Sequence, residues 1–146
     1  MTAGTNIQER KRARRRALQA IYQWQLKDEV ESAEYLIEQF LDHQDFSQVD
    51  QAYFELLVRG VIDSAEGYDK RLEPFLDRPM SDVDQMERVI LRLGAYELLE
   101  NPELPFRIIV DEAVDLSHRF GAEQGHAFVN GVLDKAARDW RPKEFS

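Results

Sequence analysis

Residues 54–72 read FELLVRGVIDSAEGYDKRL and are followed by Pro74. Phe54, Leu57, Val58, Val61, Ala65, Tyr68 and Leu72 recur there at spacings of three and four, the period of one helix face, whereas a half-buried strand would alternate in twos. The spacing predicts a long helix that follows Ser47 and stops before Pro74, because proline lacks an N–H and clashes with the preceding turn.

The same period runs outward in both directions. Upstream, Ala13, Ala17, Ala20, Ile21 and Trp24 fall on one stripe of a first helix, expected to begin at Thr5 or Asn6, either of which can cap it, and to run to about Lys27. Leu36, Ile37, Phe40 and Leu41 mark a short second helix capped by Ser32 and ending near His43. Downstream, the segment from Phe75 to Met80, which contains Pro79, reads as a connector with room for a turn of helix. Ser81 and Asp84 stand in the positions of a capping box ahead of a helix carrying Val83, Met86, Ile90, Leu93 and Glu97, ended by Asn101, Pro102 and Pro105. The next helix spans about Phe106 to Phe120 with Ile109, Val110, Ala113 and Leu116 inward, and Gly121 is expected to stop it in the left-handed conformation. A last helix from near Glu123 buries Val129, Val132, Leu133 and Ala136, and Pro142 closes the fold. No internal repeat or Gly/Ser-rich spacer divides the chain. The expectation is an all-α fold of about seven helices in a single domain over 1–146, with one bundle over about 1–74 and a second over about 75–146.

With 146 residues, 43% of them apolar, the chain is long enough to bury a core without staples. It contains no cysteine, which excludes a disulfide framework, a Cys-based zinc site and thiol catalysis. No apolar run approaches the roughly 18 residues of a membrane span, and the basic N-terminus is not followed by the apolar stretch of a signal peptide. A cytoplasmic protein without membrane association is expected.

The net charge of −9 conceals a division. Residues 1–16 hold six bases against Glu9, a net of +5 that leaves −14 on the other 130 residues. All six bases lie in Arg10–Arg16, RKRARRR, and five are arginine, whose planar fork binds phosphate in bidentate fashion and stacks on exposed bases. Two helical turns are not expected to hide six cations, so the cluster reads as solvated or bound and not as core. Placed near a helix start, bases oppose the macrodipole, and a phosphate chain there would reverse the sign. Single-stranded RNA fits the small footprint better than duplex DNA, since no recognition-helix architecture is present. Lys11 and Arg15 line up with Leu18 and Tyr22 away from the core stripe, so a basic face grades into an apolar one suited to a protein neighbour. The acidic remainder favours a basic partner. A nuclear localisation signal would predict a dispensable tail, and a surface-bound membrane helix would need a broader apolar face than this alanine-rich stripe.

Catalytic signals are missing. His43, His118 and His126 match no metal or dyad spacing, no phosphate loop or nucleophile elbow occurs, and Asp111 and Glu112 are neighbours that point in different directions on a helix. A binding protein without cofactor or metal, and not an enzyme, is the simpler account.

RRRALQAIYQWQL, ERVILRLGAYELL, VDEAVDLSHRFGAEQGHAFVNGVLDKAA and the terminal RP together closely resemble the NusB family of bacterial transcription antitermination factors. The resemblance implies two three-helix bundles packed across one another. It also implies an RNA-binding factor that recognises the boxA element as a heterodimer with the ribosomal protein NusE, and that joins other Nus factors at RNA polymerase. It assigns RNA contact to Arg10, Lys11, Arg12 and Arg14, with Arg15 and Arg16 extending the run, and places Tyr22, Glu87 and Phe75 on the partner-binding side. Phe128 in FVNG is a further RNA candidate. The family often carries Lys before that Phe and Ser where Gly125 stands, whereas here Ala127 precedes Phe128. Homodimerisation is known in the family and would use the apolar surface near Tyr22.

Two other readings share these residues. The fold also resembles the N-terminal module of ribosomal-RNA cytosine methyltransferases, which continue into a catalytic Rossmann unit; with Ser146 as the last residue, only the module is expected here. A protein adaptor would use the acidic body alone and leave the arginines in water.

Overall fold

A computed structural model describes residues 3–146, with side chains from Ile7 onward. Among the described residues there are six α-helices, α1 Ala3–Leu26, α2 Ala33–His43, α3 Gln51–Leu72, α4 Gln85–Glu100, α5 Phe106–Phe120 and α6 Gly125–Trp140, with three 3-10 turns and no strand. They form two compact units, residues 1–63 and 64–146. The division falls inside α3 at Ser64, whose φ of −131° leaves the helical region, and not near Pro74, in the 3-10 turn that follows the end of the helix at Leu72. Ser64 follows Gly60 by one turn, the kind of Gly/Ser pairing at which helices bend.

In the first unit the predicted stripe of α1 is buried at 0–4% exposure, but the buried set also takes in Arg14, Leu18 and Gln25. Leu18 therefore does not belong to an open apolar row with Tyr22, as the wheel suggested. The helix begins at Ala3, so Thr5 and Asn6 lie within it and do not cap it. It ends without glycine, on Asp28 and Glu29 in the left-handed conformation, φ 61° and 58°, with the Glu29 N–H donating to the Trp24 carbonyl at 2.9 Å. Ser32 caps α2 by accepting from the Tyr35 N–H at 3.1 Å, as expected. For α3 the cap is Asp50, which accepts from the Tyr53 N–H at 3.0 Å. Ser47 belongs to the preceding turn, its N–H held by Asp45 at 2.8 Å. Phe54 anchors this core, 5.9 Å from the Phe40 ring and 4.9 Å from Phe46.

In the second unit α4 is the central element. Val89, Ile90, Leu91, Leu93, Ala95 and Leu98 are all at most 3% exposed, so it is covered on nearly every side where the sequence showed one face. Its cap is Asp84 alone, accepting from Met86 and Glu87 N–H. Ser81 sits in a 3-10 turn, Met80–Asp82, so the capping box does not form. Gly94 lies so near Leu133 that a Cβ would stand 2.7 Å from its Cδ1. Arg92, only 2% exposed, is paired by a two-point bond to Asp69 at 2.9 and 2.7 Å. At the C-terminal end of α4, Arg141 gathers the carbonyls of Glu97, Leu98, Asn101 and Leu104. Gly121 ends α5 in extended backbone, φ −88° and ψ 177°. The left-handed residue of that turn is Gln124, φ 75°, directly before α6.

Candidate nucleic-acid interface

The basic cluster of α1 is built into the first unit. Arg12 Nη1 donates to the Gln48 carbonyl at 3.1 Å and Arg16 Nη2 to the Asp45 carbonyl at 3.2 Å. The Arg10 and Arg14 guanidinium carbons lie 4.5 and 5.5 Å from the centre of the Tyr53 ring, and Arg16 lies 5.7 Å from that of Phe46. Arg10 Nε also stands 3.8 Å from the Asp50 carboxylate. A backbone bond, Asp50 N–H to Glu9 carbonyl at 3.1 Å, ties the same two segments together. The expectation that none of the six bases is core is thereby corrected: Arg14 is 5% exposed, buried by stacking on an aromatic ring that the sequence could not place beside it. The macrodipole argument also lapses, because the cluster starts seven residues after Ala3 and the dipole effect fades beyond the first turn.

This arrangement fixes a row of guanidinium groups in space. Lys11, Arg12 and Arg15 are half-buried, their stems packed and their charges near the surface. Arg10 Nε and Arg16 Nε are buried with no hydrogen-bond partner among the described residues. Tyr22, on the same helix, is half-buried.

The remaining candidates belong to the second unit. Phe128, on α6, is half-buried, and the guanidinium of Arg78 lies over its ring at 4.6 Å. Phe75 packs apart from it, edge-on to Trp140 at 6.0 Å. Glu87 is 6% exposed, with its carboxylate turned into the α5–α6 turn, where it accepts from the Ala122 N–H. A Cβ on Gly125 would collide with Glu87 Oε2, so glycine at this position leaves room for the inward carboxylate. Glu87 Oε2 and Ser117 Oγ have no hydrogen-bond partner there. Burial, reinforced by the negative charge of Asp84, pushes the Glu87 carboxyl above its ordinary range. A raised folded-state pKa means that the native state holds the proton more tightly than the unfolded chain. The associated stability is present at acid pH and lost as pH rises through the folded value. Glu87→Gln should therefore raise the melting temperature at neutral pH, with the gap to wild type closing on acidification; equal melting curves at neutral pH would contradict it.

Beside this turn a cavity of about 450 Å³ is lined by Ser117, His118, Gly121, Ala122, Glu123, Gln124 and His126, with the two imidazoles stacked at 4.1 Å. Among the described residues no group of acids and histidines could hold a metal ion, and no helix is long and apolar enough to cross a membrane. Sequence reasoning missed Arg78, which sits in a connector with no periodicity to flag it.

The family model for NusB matches residues 11–138. Transcription antitermination protein NusB of Xanthomonas campestris pv. campestris (strain B100) is 49% identical over 135 residues, covering 92% of this chain and 84% of that protein. The protein of the same description from Xanthomonas axonopodis pv. citri (strain 306) gives the same identity and coverage. The chain belongs to the NusB family. A solved structure of T. maritima NusB superposes with a TM-score of 0.79 at 24% identity, covering 92% of this chain and 95% of that one, which supports the all-helical NusB fold. Members of the NusB family are transcription antitermination proteins and regulators, so this chain is not an enzyme.

Proposed function

We propose that this NusB-family protein binds the boxA element of nascent RNA together with the ribosomal protein NusE. In this reading it supports antitermination by RNA polymerase in the cytoplasm, notably on ribosomal RNA operons, alongside other Nus factors. The observation that carries the reading is the row from Arg10 to Arg16, held in register by the carbonyls of Asp45 and Gln48 and by the Tyr53 ring. Surface arginines left to move freely would lose entropy on meeting a phosphate chain; here much of that ordering is done in advance. Arg10, Lys11, Arg12 and Arg15 would face the RNA, Arg14 would mainly hold the row, and Phe128 would offer a ring on the second unit. Tyr22 and Phe75 are the candidates for contact with NusE, with Glu87, buried and turned inward, acting through the turn it holds before α6, and the acidic body suits a basic ribosomal protein. A homodimer through the surface near Tyr22 would compete with that partner.

The test is a titration of labelled boxA RNA with and without NusE at several salt concentrations. Removing Lys11 and Arg15 together, both half-buried, should weaken binding and flatten the log–log salt slope by roughly 0.7 per lost phosphate contact, with the helical circular dichroism of the folded protein retained. Arg14→Ala is the wrong probe, because it also removes a buried side chain. An unaltered slope in the double variant would take this cluster out of the RNA site. RNA affinity that ignores NusE, with NusE bound tightly, would favour the pure adaptor.

A further inference from the structure

We propose that Arg78 is a stacking platform for one unpaired nucleobase, with Phe128 as the floor beneath it; this rests on the RNA-binding reading above. The guanidinium lies over the Phe128 ring at 4.6 Å. Its edge is taken by the neighbouring Asp77, whose carboxylate receives Nε at 2.7 Å and Nη2 at 3.2 Å. The two-point bond sets the plane and the ring covers one face. The Arg78 side chain nevertheless stays 42% exposed, so what remains open is the face away from the ring.

The surrounding backbone is fixed as well. Pro79 follows directly, its carbonyl accepting from the Asp82 N–H at 2.9 Å, and Arg88 donates to the Met80 carbonyl at 3.0 Å. Nothing in the stability of the fold calls for this device, since an exposed pair of adjacent residues contributes little. A flat, weakly hydrated cation with one free face matches the π-face of a base, and guanidinium planes stack on bases in single-stranded RNA. Ala127 supplies no base beside Phe128 from its own helix; Arg78 supplies one from across the unit. Because Asp77 already neutralises it, Arg78 contributes stacking and not phosphate neutralisation.

That distinction is measurable. Single-stranded boxA RNA, substituted one adenine at a time with fluorescent 2-aminopurine, would be titrated against wild type, Arg78→Ala, Arg78→Lys and the Lys11/Arg15 double alanine variant. Stacking of a base on one aromatic side chain is worth roughly five- to 150-fold in affinity, and a planar guanidinium is taken on the same scale. Both Arg78 variants should lose an amount in that range, with the salt slope unchanged and fluorescence quenching lost at one position. Lysine keeps the charge but not the plane, so Arg78→Lys binding like wild type overturns the proposal. A slope reduced by about 0.7 overturns it as well, since that marks a phosphate contact. If the Lys11/Arg15 variant weakens binding while the Arg78 variants do not, the platform alone fails. If wild type binds no RNA, the platform and the functional reading fail together.

Discussion

Arg92→Leu is expected to lower the unfolding free energy by about 3 kcal/mol, the low end of the range for breaking a buried ion pair. Arg92 sits in the middle of α4 at 2% exposure, and its two-point partner Asp69 lies on the second half of α3 with 19% of its side chain exposed. Removing the arginine strands a carboxylate in a site made for a pair, and the residual exposure of Asp69 lets water relieve part of the penalty. For a chain of this size that corresponds to a fall in melting temperature of about 10 °C. Substituting both partners by leucine should recover most of the loss, because the stranded charge is what costs, and a buried pair gains little over apolar residues of similar volume. Urea unfolding followed by helical circular dichroism measures all three variants. A single variant within about 0.5 kcal/mol of wild type, the scatter of ordinary surface substitutions, would show that the pair is not holding α3 to α4.

The same helix organises the candidate RNA face of the second unit. Glu87, in the first turn of α4, bonds the turn that leads into α6. Arg88, one residue on, holds the connector that carries Arg78. Stability in the middle of α4 is therefore linked to the geometry of Arg78, in the connector before it, and of Phe128 on α6. A variant that loosens the pair without unfolding the unit should weaken RNA binding by misplacing the platform.

Much of this was legible because amphipathic helices announce themselves. Phe106–Phe120 agrees residue for residue with the expected helix, and the Ser32 cap was read from a serine standing one turn before the apolar period that opens at Leu36. α4 misled because a helix covered all round has no polar face to give its orientation. Ser47 and Asp50 are both sound caps by type; Ser47 stands in the turn ahead of the helix, where its N–H donates to Asp45, and Asp50 stands directly before Gln51, where the helix begins. Gly121 looked like the left-handed stop, yet Gln124 takes that conformation, held by turn bonds from Gly125 to Ala122 and from Gly121 to Ser117. The arginine cluster was visible as composition, but its anchorage was not. Its partners are two carbonyl groups, the Phe46 and Tyr53 rings and the Asp50 carboxylate, all between residues 45 and 53, and a carbonyl leaves no mark in a sequence. Arg78 and Phe128 were invisible as a pair for a similar reason, since fifty residues separate them and only the packing of α6 near the connector joins them.

Arg141→Lys is expected to cost nearly as much as Arg141→Ala, about 2–4 kcal/mol, on the scale of charge-assisted hydrogen bonds whose removal leaves acceptors unpaired. The Arg141 side chain is 9% exposed, and its fork donates from Nε to Leu98 at 2.9 Å and from Nη2 to Asn101 at 2.8 Å and Glu97 at 3.2 Å. Nη1 donates to Leu104 and to Glu144 Oε2. Three of those carbonyls belong to the end of α4 or its cap, where helical N–H donors run out; Glu97 and Asn101 also accept from the N–H groups of Asn101 and Leu104, and the fork adds a second donor to each. An ammonium group can reach one or two of them but cannot span the set, because its donors radiate from a point and not from a plane. Glu144→Gln should by contrast change stability by under about 1 kcal/mol, as expected for a partly exposed pair. Amide exchange at Asn101, Glu103 and Leu104 should quicken in both Arg141 variants and stay slow in Glu144→Gln, because those amides lie in the loop that the fork fastens to α4. If Arg141→Lys matches wild type in both stability and exchange, a point charge is enough to close α4, and the forked geometry is not what secures the end of the helix.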